Sequence, residues 1–591
     1  MTVSRKSEAT TVVANDLTTE KKSFLQADGH ILALGGPGSG KTFIALTKAG
    51  LELQSETLLP GQRILFLSFA RASIARVAQQ AKTSVAAAHR DRLETNTYHG
   101  FTWSILRSHG YLLRKGGHIR LLPPPEAAAR LAGIDVGERD REMRRFFQDE
   151  GLLHFDLFAP LAGELLQKST ALTAIICDAY PTIILDEFQD TNAAEWKLIQ
   201  TLGIKSRLIA LADPDQRIYE FRGADPRRIR EFIEAFHPTQ YDFALENHRS
   251  NGTDITSFGN DLLSGANKGK TYSDVVIKKY QVRRGIALHL DLKCEVLNSC
   301  KRLHKPGKTG WSLAVLVPTK LLMLGVSSFL SEEQNFSNNN ILPGIPHEVA
   351  IETAGPALAA VLVAKVLAGA ATEGDTARQM LRDICAHVRG RKGSDRAPKN
   401  DLELAAAITE YLQTDGVRGK RRKQVIEECQ HIARERHAMK LSGDPSQDWL
   451  SVRKLFDSAT SEAIRNLSQD AKYIRLLHKG ALLSSGLSEL WRKNLNYDGA
   501  EALVRGALLQ EHFSVSAKTY SGIHVMTVHK SKGKEFDEVI VYEGPYQGRI
   551  IRPGASDKDV AQARLSLRVA VTRAMHRTTI LTPSHDVCVF L

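Results

Sequence analysis

Short apolar runs recur along this chain, and several end abruptly in glycines or acidic residues. Ile31-Leu32-Ala33-Leu34 runs straight into GGPGSGKT (35–42), and Thr182-Ile183-Ile184-Leu185 runs into DEFQDT (186–191). A third run, Arg207-Leu208-Ile209-Ala210-Leu211, leads into ADPDQRIYEFRGA (212–224). Brief apolar stretches bounded by turn signals predict strands buried on both faces, as in a parallel sheet covered by helices. WSLAVLVPTK (311–320) predicts another strand, and GIPHEV (344–349) the start of one more. Across 110–175 and 353–516, Leu, Ala, Lys and Glu instead recur at helical spacing. The most apolar stretch, Gly355 to Ala371, contains Lys365 and falls short of a membrane span, so it predicts a buried helix. The segment Ser331 to Asn340 is polar and carries no periodic signal.

A length of 591 residues predicts three to five domains. The net charge of +13 favours a polyanionic partner. None of the six cysteines forms a CxxC pair, which argues against a disulfide framework, an iron–sulfur cluster or a zinc ribbon and fits a reducing cytoplasm. The first twenty residues are polar and charged, without the apolar core of a signal peptide.

The strand-to-helix junction at 35–42 has the chemistry of a phosphate-binding loop. Gly35, Gly36, Pro37, Gly38, Ser39 and Gly40 let backbone N–H groups converge on phosphate oxygens, and the following run Phe43-Ile44-Ala45-Leu46 begins a helix with its positive end at the loop. Lys41 can reach β- and γ-phosphates, and the Thr42 hydroxyl can ligate Mg²⁺. The string implies a nucleoside triphosphate site. Asp186 and Glu187, adjacent at the C-terminal end of a strand, suit the sheet edge where such folds bind ligands. Asp186 can hold Mg²⁺ and Glu187 can polarise a water, although an acidic turn that caps a helix has the same appearance. Gln216, at another strand end, can hydrogen-bond a γ-phosphate. Tyr219 and Phe221 are available to stack on bases, or to fill a core.

In their order these strings resemble superfamily 1 helicases of the UvrD/Rep/PcrA type. GGPGSGKT is similar to the first motif of that family, ILFLSFARAS (64–73) to the next and TYHGF (97–101) to its T-[FY]-H-[GS] segment. DEFQDT, DPDQRIYEFRGA and LENHRS (245–250) resemble the second, third and fourth motifs, VMTVHKSKGKEFD (525–537) the fifth and VAVTRA (569–574) the sixth. The similarity runs from about Leu17 to Leu581.

The resemblance implies an α/β fold of two RecA-like domains, each interrupted by a mainly helical insertion. Domain 1A would comprise 1–109 and 176–241 around insertion 1B (110–175). Domain 2A would comprise 242–352 and 517–591 around insertion 2B (353–516). Lys41, Asp186, Glu187 and Gln216 would then act from 1A, with Arg249 and Arg573 as arginine fingers from 2A. His248, Gly533 and Glu535 would border the nucleotide. Phe69, Thr97, His99, Tyr219, Phe221, Thr527 and His529 would face DNA. ATP and Mg²⁺ are the implied cofactors, and single-stranded DNA and its junctions with duplex the implied partners. The implied activity is an ATP-dependent DNA helicase or translocase moving 3′→5′, in repair or phage defence. The alternative is a DNA-stimulated ATPase that serves as sensor or loader for a separate nuclease. With only a short stretch after the sixth motif, no appended nuclease is expected.

Three positions depart from the family around the base. Lys21 stands where a glutamine is usual (Gln26 is the nearest), Phe43 replaces an arginine, and His248 replaces a tyrosine. These changes predict loose base selectivity. In the sixth motif Arg568 replaces the common tyrosine. RGKRRK (418–423) is either a phosphate-tracking patch or a solvated loop.

Overall fold

The computed structural model describes residues 18–591, except 37, 56, 70, 115, 215–224, 226, 244–251, 283–287, 305–309, 337–339, 350–353, 394–396, 473–480, 514–520, 547 and 552–553. The chain forms two compact units, the first of residues 1–104, 162–351 and 515–591, the second of 105–161 and 352–514.

The first unit holds two six-stranded sheets. One contains β1 (Ile31–Leu34), β2 (Ile64–Ser68), β3 (Leu93–Thr97), β4 (Thr182–Leu185), β5 (Arg207–Ala212) and β6 (Thr239–Asp242), in the order β3-β2-β4-β5-β1-β6. The other contains β7 (Val275–Tyr280), β8 (Ser312–Val317), β9 (Glu348–Val349), β10 (Gly522–Thr527), β11 (Phe536–Tyr542) and β12 (Ala574–Pro583), in the order β9-β10-β8-β11-β12-β7. Every pairing in both sheets is parallel.

Strand period explains the unbroken apolar runs, because successive side chains alternate between two buried faces. In β8, Leu313, Val315 and Val317 pack in one core cluster with Val525 and Ile540, while Ala314 and Leu316 join another with Val539 and Ile580. In the first sheet, Ile31, Phe66, Ile184 and Leu211 share one core face with Ile44 and Leu46 of the helix Lys41–Gln54. These sheets are the two RecA-like layers that the motif order implies. The polar segment near 331–340 contributes something the sequence does not signal: Gln334–Phe336 pairs antiparallel with Asn340–Leu342.

The second unit is largely helical, with one short parallel pair between Arg120–Leu121 and Leu152–Leu153. At its centre lies the helix Ala354–Ala368, buried around most of its circumference, as its sequence predicts. Lys365, its one charged residue, is held by Asp383 Oδ1 at 2.8 Å. Among the described residues no helix is long and apolar enough to cross a membrane.

Candidate nucleotide site

The site begins where β1 ends. Gly38 and Gly40 have φ of 78° and 85°, in the left-handed region that glycine enters without cost, and Gly40 hands the chain into the helix Lys41–Gln54. A Cβ at Gly35 would stand 2.7 Å from Ser39 Oγ, so the loop is also too tight for a side chain there. The Lys41 ammonium donates to the Gly35 and Gly36 carbonyls at 2.6 and 3.0 Å, folded over the loop it serves. The helix start adds unpaired N–H groups and its partial positive charge.

Beside the loop, β4 delivers Asp186 and Glu187. The next helix, Ala193–Gly203, is capped by Asn192 and Glu195 rather than by these carboxylates, which excludes the capping role for them. Glu187 has φ 53°, a conformation that costs a side-chain-bearing residue ~1–3 kcal/mol and recurs at functional sites. Ser68 Oγ donates to Asp186 Oδ2 at 2.9 Å, and Gln189 Nε2 to Glu187 Oε2 at 2.6 Å. The two acids are pushed apart. Burial and the neighbouring Glu187 charge raise Asp186 to about 7. Burial also opposes ionisation of Glu187, but Lys532, Lys41 and the Gln189 amide together pull it below the usual carboxylate range. Glu187 is therefore the more readily ionised member of the pair.

The second sheet closes the far wall. A cavity of about 400 Å³ is lined by Lys41, Thr42, Asp186 and Glu187 from the first lobe and by Gly533, Glu535 and Arg573 from the second. Arg573 is 2% exposed, and its Nε donates to the Val569 carbonyl at 3.0 Å. Thr42 and Asp186 offer hard oxygen ligands on the same cavity, a donor set that suits Mg²⁺ completed by water and phosphate. Among the described residues, no cluster of three or more His, Cys, Asp or Glu could hold a metal unaided.

Several participants escape the sequence reading. Arg76, on the helix Arg71–Ser84, pairs with Glu535 Oε1 at 2.9 Å and donates to the Gly533 carbonyl at 2.7 Å. Lys532 forms a buried ion pair with Asp190 and lies 3.8 Å from Glu187. Both stand within or just beyond quoted motifs, but nothing in their spacing marks them as bridging partners. Gln80 and Phe43 also line the cavity. Lys21 does not; it is 4% exposed, with its ammonium 5.8 Å from the Phe243 ring centre, and Gln26 faces solvent.

The residues assigned to DNA sit at strand ends. Thr97 closes β3 and accepts from the Gly100 N–H, with His99 on the helix that follows. Thr527 closes β10 and occupies the N-cap position of the short helix that carries His529, whose imidazole burial holds below its usual pKa. The half-buried Phe69 stacks on Tyr98 with ring centres 4.4 Å apart. Pro37, Gln216, Tyr219, Phe221, His248 and Arg249 lie outside the described residues.

Residues 17–127 and 124–237 match the family model described as the UvrD/REP helicase N-terminal domain. This region is similar to the UvrD/REP helicase N-terminal domain. The UvrD/REP match spans β1 to β5, together with the phosphate loop and the Asp186–Glu187 pair. YjcD of Bacillus subtilis is 22% identical over 296 residues, 43% of this chain and 39% of its own. DNA helicase II of Haemophilus influenzae is 24% identical over 282 residues, 40% of this chain and 38% of its own. The exonuclease/helicase subunit RexA of Lactococcus lactis is 29% identical over 120 residues, 20% of this chain and 10% of its own. The chain thus spans about two fifths of the length of the UvrD-type relatives it matches.

Proposed function

We propose that this chain is an ATP-dependent DNA helicase or translocase that moves 3′→5′ on single-stranded DNA. The observation that carries the reading is the shared cavity, with Lys41, Thr42, Asp186 and Glu187 on one sheet and Arg573 on the other. Lys41 binds the β- and γ-phosphates, and Thr42 and Asp186 would hold a Mg²⁺, which would neutralise charge on the transferred group. Glu187 orients the attacking water and accepts its proton, while Arg573, with Arg249, offsets charge that develops in the transition state. A ligand gripped from both lobes draws them together and its loss releases them. That alternation becomes a step if Thr97 and His99 on one lobe, and Thr527 and His529 on the other, hold the strand in turn. Phe69, Tyr219 and Phe221 supply base contacts. The setting is the cytoplasm, in repair or phage defence, where the six free thiols stay reduced.

Similarity to an exonuclease/helicase protein supports a second reading, a DNA-stimulated ATPase that gates a separately encoded nuclease. Purified chain assayed with single-stranded DNA, duplex, RNA and no nucleic acid tests the first. The expected result is ATPase strongly stimulated by single-stranded DNA, absent in Lys41→Ala, and accompanied by strand displacement. Stimulation without displacement selects the second reading. Turnover indifferent to DNA sinks both.

A further inference from the structure

Arg568 occupies the helix Asp557–Val571, five residues before Arg573, yet it reaches the first lobe at a different place. It is 2% exposed. Burying an ionised guanidinium is unfavourable unless an anion and hydrogen-bond acceptors meet it. Its Nη2 donates to Asn260 Oδ1 at 3.1 Å, and its Nη1 lies 3.7 Å from Oδ1 of Asp213, a residue 3% exposed on the opposite lobe. Nε and Nη1 have no hydrogen-bond partner among the described residues.

From Asp213 a continuous path leads into the catalytic pair. The Asp213 N–H donates to Gln189 Oε1 at 2.9 Å, and Gln189 Nε2 donates to Glu187 Oε2 at 2.6 Å. We propose that Arg568 is a positioning residue that transmits the apposition of the two sheets, through Asp213 and Gln189, to the Glu187 carboxylate. The proposal rests on the ATPase reading above. At 3.7 Å the Arg568–Asp213 contact is an ion pair and not yet a hydrogen bond. Shortening it to the ~2.7–2.9 Å of a charge-assisted bond needs less than about 1 Å of closure. Closure therefore fixes Asp213, Asp213 fixes the Gln189 amide, and the amide fixes the carboxylate that must face the attacking water. A tyrosine at 568 has no charge with which to engage Asp213, so this device belongs to a departure from the family pattern.

The test is a double-mutant cycle of Arg568→Gln and Asp213→Asn, with Arg568→Lys as the conservative variant that keeps charge but loses the planar fork. Each protein is assayed for DNA-stimulated ATPase, for binding of a fluorescent triphosphate and for Tm. Each single variant should lower kcat about tenfold to a hundredfold while the ATP KM and triphosphate Kd stay within about twofold. The double variant should be no slower than the worse single, and Arg568→Lys should fall between wild type and Arg568→Gln. A raised KM and Kd with kcat unchanged would overturn the proposal, because Arg568 would then be a nucleotide ligand. Losses in kcat that multiply in the double variant would overturn it too. A wild-type chain inert towards every triphosphate would sink the functional reading instead. The cycle in Tm then stands apart, with non-additive shifts supporting the Arg568–Asp213 contact and additive shifts refuting it.

Discussion

Two parallel sheets of equal size face one cavity, and they bring opposite charges to the seam around it. The first sheet contributes Asp186, Glu187, Asp190 and Asp213. The second answers with Lys532, Arg568 and Arg573. Arg76 and Glu535 reverse the pattern, and Lys41 belongs to the phosphate loop itself. The first lobe also has the glycines and the helix start that hold phosphate, while the second carries cations without such a loop. Architecture is therefore shared and chemistry is divided. Buried ion pairs add little net stability once desolvation is counted, so the seam suits registration better than permanent adhesion. A polyanion that enters such a seam is gripped by cations from both sides, and it redistributes the pairs that hold the lobes in its absence.

The most severe way to break this division is to remove the second lobe's contribution and leave the first intact. Arg573→Ala should reduce DNA-stimulated turnover by ~10³–10⁵, the usual worth of an arginine finger, with triphosphate binding reduced far less because Lys41 and the loop remain. Steady-state ATPase beside equilibrium binding measures both. Turnover within tenfold of wild type would mean that Arg573 is not the finger on which the chemistry depends.

The same contrast governs what the sequence discloses. The strands are legible because a parallel strand buried on both faces must be apolar throughout, as Ile31–Leu34 and Thr182–Leu185 are. The loop is legible because Gly38 and Gly40 need backbone angles that other residues resist. The pairings across the seam are not legible. Lys532 and Asp190 are 342 positions apart, and neither residue type nor spacing announces the contact. Gln189 sits inside a quoted motif, but its link between Glu187 and Asp213 emerges only when β4 and β5 lie side by side. Gln334–Phe336 and Asn340–Leu342 are too short for alternation to betray them.

A smaller effect sharpens the comparison at the base. Lys21 is packed against Phe243 rather than exposed on the cavity wall, and Phe43 lines the cavity with a ring that stacks without reading donors or acceptors. Stacking is tolerant of base identity, whereas hydrogen bonds to base edges discriminate. GTP and CTP should therefore be hydrolysed within about tenfold of ATP. Competition assays at saturating DNA check this directly. Hydrolysis confined to ATP would assign base reading to a residue such as Gln80, whose amide lies on the same cavity.

The smallest effect lies in the helical unit, where charge is arranged against local stability. Lys420, Arg421 and Lys423 are exposed in the first turn of the helix Lys420–Ala438, and Arg418 is exposed just before it. Cations at the positive end of a helix repel it, each by ~0.3–1 kcal/mol at low salt. None of these four has an ion-pair partner among the described residues. Phosphates would turn that cost into attraction. Neutralising the four together should weaken DNA binding and make the slope of log K against log salt shallower by roughly 0.7–0.9 for each phosphate no longer neutralised. The ATPase measured without DNA should not change, since the described lining of the nucleotide cavity comes entirely from the first unit. A slope that stays the same after all four charges are removed leaves a solvated helix end, and confines the polyanion chemistry of this chain to the two sheets.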